Sequence, residues 1–399
     1  MKTLVINTGS SSIKYQLFRM PEGVVMCSGL VEQIGEDNSK ITHKIFVDGE
    51  SKIFTEDAPI LNHQAGMTKL AALLTDSETG VLASTGEIDL VGHRVVHGGE
   101  QFAKTSFLTN EVIKTVDELS DLAPLHNPPN LVGIRMAKKV FKNAKQIGVF
   151  DTAFHQSIPE YAYRYALPNK LYEEFGVRVY GFHGTSHRYI SKQTAEVLNQ
   201  PLDKTNLISI HLGNGASIAA IQNGQSIDTS LGLTPLPGLV MGTRSGDIDP
   251  AIIFYLNEQL GMPLKEIKNI LYKESGMKGL TSHNDLRKIT EDAEGGDKRA
   301  ELALAIYAYR IKKYIGSYLA IIGNVDAIVF TAGVGENSPV IRALSVEGLE
   351  NFGIILDPKA NNSRGKATIS ATNSRIKILV IPTNEELEIA HQSYQLAID

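Results

Sequence analysis

Val5-Ile6-Asn7-Thr8-Gly9-Ser10-Ser11-Ser12-Ile13-Lys14-Tyr15-Gln16-Leu17-Phe18 reads as strand, tight polar turn, strand. Val5, Ile13, Tyr15, Leu17 and Phe18 are strand-forming β-branched, aromatic or apolar residues. Between the strands sit one glycine and three serines, with Asn7 at the entrance of the turn. Such a turn offers backbone N–H groups and hydroxyls to an anion, and Lys14 adds positive charge. The design returns at Leu207-Ile208-Ser209-Ile210-His211-Leu212-Gly213-Asn214-Gly215-Ala216-Ser217-Ile218-Ala219-Ala220-Ile221. Few residues are identical, but the spacing is close, so a duplicated fold is expected.

Between these two stretches, and after the second, short strands alternate with longer helices, the pattern of an α/β protein. Residues 3–60 are strand-rich. Val91–Val96 reads as a strand ending in the His97-Gly98-Gly99 turn. Asn127-Pro128-Pro129 opens a helix, with Asn127 as its cap, and Gln146–Asp151 returns as a buried strand ending in a carboxylate. Residues 300–322 form a long amphipathic helix with Leu302, Ile306, Tyr309 and Leu319 among its apolar positions. Asp326–Thr331 is a buried strand feeding Ala332-Gly333-Val334-Gly335-Glu336-Asn337-Ser338-Pro339, a third Gly-rich loop. Lys377–Pro382 is the last strand, and Thr383-Asn384-Glu385-Glu386 starts a terminal helix.

The 399 residues exceed one ordinary core, so two domains are expected. A net charge of −5 gives no support to nucleic-acid binding, which needs a basic surface. Any charge that holds an anion must therefore be local. Cys27 is the sole cysteine, which excludes an internal disulfide and fits a reducing cytoplasm. After Val24-Val25-Met26 it reads as a small strand residue rather than a nucleophile. Met1-Lys2 runs directly into the first strand, so no secretory leader is expected. No apolar run approaches the roughly 18 residues of a membrane span.

Three strands ending in Gly-rich turns suit a phosphate-bearing ligand. The Walker pattern is absent, because Gly9–Lys14 lacks the second glycine and the following Ser or Thr. The protein-kinase motifs are absent too. Gly213-x-Gly215 and Gly333-x-Gly335 lack the third glycine of a dinucleotide fingerprint.

Over essentially its full length the chain resembles the acetate kinase family, within the superfamily of acetate and sugar kinases, Hsp70 and actin. The motifs that carry the resemblance are Asn7–Lys14, His93–Gly99, Asp151–His155, Gly181–His187, His211–Gly215, Met241–Asp247, Gly333–Asn337 and Thr383–Glu386, in that order. The resemblance implies two duplicated actin-like (ribonuclease H-like) α/β domains around an ATP cleft, and a homodimer. The expected division is 1–150 plus 386–399 for the N-terminal domain and 151–385 for the C-terminal, nucleotide-binding one. The implied reaction is reversible phosphoryl transfer between ATP and acetate, giving acetyl phosphate and ADP with Mg²⁺, or with Mn²⁺ as the alternative metal.

That reaction joins two anions, so positioned positive charge is the main requirement. Acetate is ionised at neutral pH and needs no general base. Arg94 and Arg244, each flanked by glycines, are the candidate clamps; a surface arginine is the plainer reading of either. By resemblance His183 contacts the transferring phosphoryl group, and Asp151 is an active-site carboxylate placing Mg²⁺ or substrate. A core histidine and a turn cap are the competing readings. His126 is open between capping and the site, and His187 belongs to the start of the next helix. Asn7 and Glu385 are the expected Mg²⁺ pair, with the neighbouring Glu386 poorly separated from Glu385 by sequence.

For ATP the resemblance implies Ser10, Ser12 and Lys14 near the phosphates. It adds His211, Leu212, Gly213, Asn214 and Gly215, then Asp285, Leu286 and Arg287 toward the nucleoside, and Gly333, Val334, Gly335, Glu336 and Asn337. Val96, Leu125, Pro235 and Phe182 are expected around the acetate methyl group, where ordinary core packing reads the same. Propionate kinase is the nearest alternative, since one methylene changes binding by only about 1–3 kcal/mol. An ATP-driven switch of the actin or Hsp70 kind is the alternative of another class, but it gives no reason to gather Arg94, His183 and Arg244.

Overall fold

The computed structural model describes residues 1–47, 49–124, 126–362, 365 and 367–399. The chain divides into two compact units, Met1–Phe154 with Asn384–Asp399, and His155–Thr383. This division puts Asp151 and Glu385 in the first unit.

The first unit holds β1 (Lys2–Thr8), β2 (Ile13–Arg19), β3 (Val24–Glu32), β4 (Lys40–Val47), β5 (Glu50–Asp57), β6 (Leu90–Val95), β7 (Ser106–Phe107) and β8 (Lys145–Phe150). They form one sheet in the order β5-β4-β3-β2-β1-β6-β8-β7. β1 runs antiparallel to β2 and parallel to β6, and β6 is parallel to β8. β1 is buried on both faces. Leu4 and Ile6 pack under the helix His63–Thr75, while Val5 meets Ile389 and Ala390 of the terminal helix Glu385–Ile398. A Cβ on Gly92 would stand 2.6 Å from Ser393 Oγ, so only glycine lets that helix close onto β6. The edge strand β5 is polar and exposed, which disfavours pairing with another chain. Cys27 lies buried in β3, and burial pushes its thiol up to about 12, a structural cysteine.

The second unit holds β9 (Leu207–Leu212), β10 (Ala216–Gln222), β11 (Gln225–Thr229), β12 (Ala327–Thr331), β13 (Ala367–Thr368) and β14 (Lys377–Val380). Their order is β11-β10-β9-β12-β14-β13. Strands β9, β10 and β11 form an antiparallel meander, and β9, β12 and β14 are parallel. This repeats β3-β2-β1-β6-β8 strand for strand, down to a two-residue antiparallel edge strand, so the fold is duplicated. β9 and β12 are buried throughout, as central parallel strands should be. The helix Gly184–Leu198 packs on β9 and β12.

The long helix spans Lys298–Ile322, but its inner face is not the one expected. Ala303, Tyr307, Ile311, Ile315 and Tyr318 are buried, whereas Leu302 is 60% exposed and Tyr309 64%. Asn127 is the first residue of its helix rather than its cap, a position held by His126. Its side-chain amide instead accepts from His97 N and donates to His97 O, both at 3.1 Å.

Candidate active site

In the first unit Arg94 and Asp151 stand at the carboxyl ends of parallel strands, where open α/β sheets place ligands. Arg94 lies on β6 and Asp151 directly follows β8, joined by Asp151 N donating to Val95 O at 2.9 Å. Arg94 Nη2 pairs with the buried Asp151 carboxylate at 2.6 Å, and its Nε lies 3.7 Å from Glu385 Oε2. Burial works against the charge of Arg94, but Asp151 and Glu385 outweigh it and hold the guanidinium above its ordinary range. Glu385 opens the terminal helix, after the cap Asn384. Burial, with Asp151 and Glu386 nearby, pushes it up to about 7 against the pull of Arg94 and Lys14.

Lys14, opposite Asn7 across the β1–β2 pair, forms a 2.5 Å ion pair with Glu386. The turn between them closes through Gly9 N donating to Ser12 O at 2.9 Å and leaves Ser10 exposed. Val96 is buried, its N–H donating to Asn130 Oδ1 at 3.0 Å. Leu125 lies outside the described residues.

In the second unit a different cluster forms. His183 has φ 57°, a left-handed conformation uncommon outside glycine, at the entrance of the helix Gly184–Leu198. Its ring stacks on His211 with centroids 4.4 Å apart, and its Nδ1 is hydrogen-bonded to Ser217 Oγ at 2.9 Å. Arg244 Nη1 donates to the Pro235 carbonyl at 3.0 Å and lies 3.8 Å from the Met241 sulfur. Among the described residues no carboxylate pairs with Arg244, and burial pulls its pKa down. A methyl group on Gly215 would stand 3.4 Å from His183 Nε2 and 3.6 Å from Arg244 Nη1. Both groups therefore face the space over that glycine. Phe182 is buried, and its carbonyl accepts from His155 Nε2 at 3.0 Å.

Beside this cluster lies a cavity of about 970 Å³, near the upper end for small-molecule sites. It gathers Gly213, Asn214, Asp285, Leu286, Arg287, Gly333, Val334 and Asn337 from the sequence-expected set, whereas His211, Leu212, Gly215, Gly335 and Glu336 do not line it. The 213–215 turn closes through Gly213 N donating to Gly215 O at 3.0 Å. Asp285 caps the helix Leu286–Glu294 and pairs with Arg287 at 2.7 Å. The third Gly-rich segment is itself a short helix, Ala332–Asn337, entered through a left-handed Ala332 with φ 63°. Ser338 then caps the helix that begins at Pro339.

Sequence reasoning missed the groups behind these loops. Arg342, fully buried, donates to the carbonyls of Gly335 and Glu336 at 2.9 Å each and braces the 332–337 turn from inside. Tyr307 and Asn284 complete the cavity wall. Ser217 bridges His183 and His187, and Ser209 holds the other nitrogen of His187. An arginine or serine at strand or helix spacing carries no local sign of such a role. Among the described residues no cluster of three or more His, Cys, Asp or Glu is placed to hold a metal ion. Among the described residues no helix is long and apolar enough to cross a membrane.

A model of the acetokinase family matches residues 2–391. The acetate kinase of Halothermothrix orenii is 52% identical over 99% of both chains. The crystal structure of Porphyromonas gingivalis acetate kinase superposes with a TM-score of 0.93 at 45% identity, covering 99% of each chain. A propionate kinase from Francisella tularensis superposes at 0.91 with 40% identity, again over 99% of each.

Proposed function

The chain belongs to the acetokinase family, and from that premise we propose that it moves the terminal phosphoryl group of ATP reversibly onto acetate. An acetate oxygen attacks the γ-phosphorus in line, the bond from that phosphorus to the ADP oxygen breaks, and acetyl phosphate and ADP leave. No proton need be removed first, because acetate is already an anion at neutral pH. The barrier is charge: a carboxylate approaches a phosphate, and negative charge spreads over the migrating group.

The observation that carries the reading is the pairing of His183 Nε2 and Arg244 Nη1 over Gly215, beside a nucleotide-sized cavity. Arg244 carries a charge that no carboxylate cancels among the described residues. It is the group to take up charge on the transferring phosphoryl oxygens. His183 adds a hydrogen bond from the same side. Arg94, held by Asp151, is the clamp for the acetate carboxylate. Asp151 acts by orienting that guanidinium. ATP would lie along the 213–215 and 333–337 turns, with its nucleoside toward Asp285 and Arg287. Ser10, Ser12 and Lys14 would face the phosphates. Val96, Phe182 and Pro235 would receive the methyl group.

Mg²⁺, or Mn²⁺ in its place, would be held by Glu385 and Asn7. The donor set fits a hard cation: oxygen ligands, with a carboxyl that burial and neighbouring acids push up to about 7 and that a cation would return to its ionised form. When bound, the metal would neutralise phosphate charge.

A homodimer is proposed on the helix Ala251–Glu258, an apolar segment with no buried residue, exposing Phe254 and Tyr255. A cytoplasmic setting accords with the single buried cysteine.

Purified protein with ATP, Mg²⁺ and hydroxylamine should yield acetyl hydroxamate when acetate is supplied, and less product with propionate or butyrate. No hydroxamate from acetate would overturn the reading; faster turnover of propionate would move it to the longer acid.

A further inference from the structure

Ser217 Oγ lies 2.9 Å from His183 Nδ1 and 2.8 Å from His187 Nε2, and His187 Nδ1 is 2.8 Å from Ser209 Oγ. Ser217, His187 and Ser209 are all fully buried. The chain of contacts thus runs Ser209, His187, Ser217, His183, and ends where His183 Nε2 faces the space over Gly215.

The proton count of this chain is restrictive. A serine hydroxyl has one proton, so Ser217 can donate to one ring and must accept from the other. His187 is neutral, because burial first, and then His155 and His211, hold its pKa well below the usual histidine range. It therefore carries one N–H. With His183 neutral, two arrangements satisfy these three contacts. In one, Ser209 donates to His187 Nδ1, His187 Nε2–H donates to Ser217, and Ser217 donates to His183 Nδ1. His183 then presents Nε2–H. In the other, every donor is reversed and His183 presents a lone pair, which repels an anion. A phosphoryl group beside Nε2 selects the first.

We propose that Ser217, backed by His187 and Ser209, is the positioning residue that fixes His183 as an Nε2–H donor to the reacting phosphoryl group. The proposal rests on the role given to His183 above. Orientation follows from the same contacts: the Ser217 bond and the His211 stack hold the ring of a residue whose backbone is in the left-handed region.

The test compares kcat and KM for Ser217→Ala, His183→Ala and the double variant. Ser217→Ala should lower kcat by about tenfold with both KM values within about twofold, and should add nothing in the His183→Ala background. Histidine ¹⁵N spectra of the unmutated protein with ATP bound in the absence of acetate should show His183 as the Nε2–H tautomer, a readout that does not depend on any variant folding. A Ser217→Ala kcat within about twofold of wild type, full additivity with His183→Ala, or a Nδ1–H tautomer would overturn the positioning role. A His183→Ala kcat within about threefold of wild type would overturn the role of His183 itself, and this proposal with it.

Discussion

Arg94 and Arg244 are both half-buried, each in its own unit, yet their surroundings differ in kind. Arg94 is held by Asp151 at 2.6 Å with Glu385 behind, and those acids raise its hold on its proton. Arg244 has a backbone carbonyl and a thioether for company, and burial weakens its hold. Lys14, though exposed, also pairs with an acid, Glu386, whereas buried Arg342 donates only to neutral oxygens. In the first unit the buried Asp151 has a cation beside it. In the second, Arg244 and Arg342 lie among neutral groups, and His183 and His187 rest on serines. A paired cation is a rigid fixture; an unpaired one is a standing attraction for an anion.

The largest test of this contrast is on rate. Arg244→Ala should lower kcat by about 10³-fold or more in the hydroxamate assay. A kcat within about threefold of wild type would remove Arg244 from the charge-stabilising role. Next in size is stability. Arg94→Ala breaks the ion pair of the buried Asp151 carboxylate and should cost about 3–5 kcal/mol in urea unfolding. Adding Asp151→Asn should return most of that stability but not the activity. A double variant as unstable as the single one would show that the ion pair is not what the first unit relies on.

The smallest effect concerns Asp228, a buried acid of the second unit that has hydrogen bonds from Tyr318 and Thr229 N in place of a cation. Burial raises it from 3.8 to about 6. The folded state then holds the proton more tightly than the unfolded chain. The stabilisation is complete below pH 3.8 and is lost as pH rises through about 6. Wild type should therefore lose urea stability, relative to Asp228→Asn, between about pH 4 and about pH 7. Parallel pH curves for the two proteins would contradict this.

Much of this architecture is legible in the chain because strands announce themselves locally. The two strand–turn–strand stretches at 5–18 and 207–221 became β1–β2 and β9–β10, the centre of the duplication. The face of the long helix was misread because its inner stripe leans on Ala300, Ala303 and Ala308, whose small side chains say little, while Leu302 and Tyr309 point to solvent. Asn127 looks like a cap in any window; its true partner, His97, lies thirty residues away. Arg94, His183 and Arg244 stand out in the sequence through their motifs. Ser217, which holds His183, and Arg342, which braces residues 335 and 336, do not, because they gain meaning only from contacts formed after folding.

The central claim is that one arginine is compensated and the other is not. Thermal unfolding of Arg94→Met and Arg244→Met, measured side by side with kcat, tests it most directly. Both variants should lose activity, but only Arg94→Met should lose stability; Arg244→Met should unfold at the wild-type temperature or above it, since an apolar side chain replaces a buried, unpaired charge. Equal destabilisation of the two variants would contradict the account.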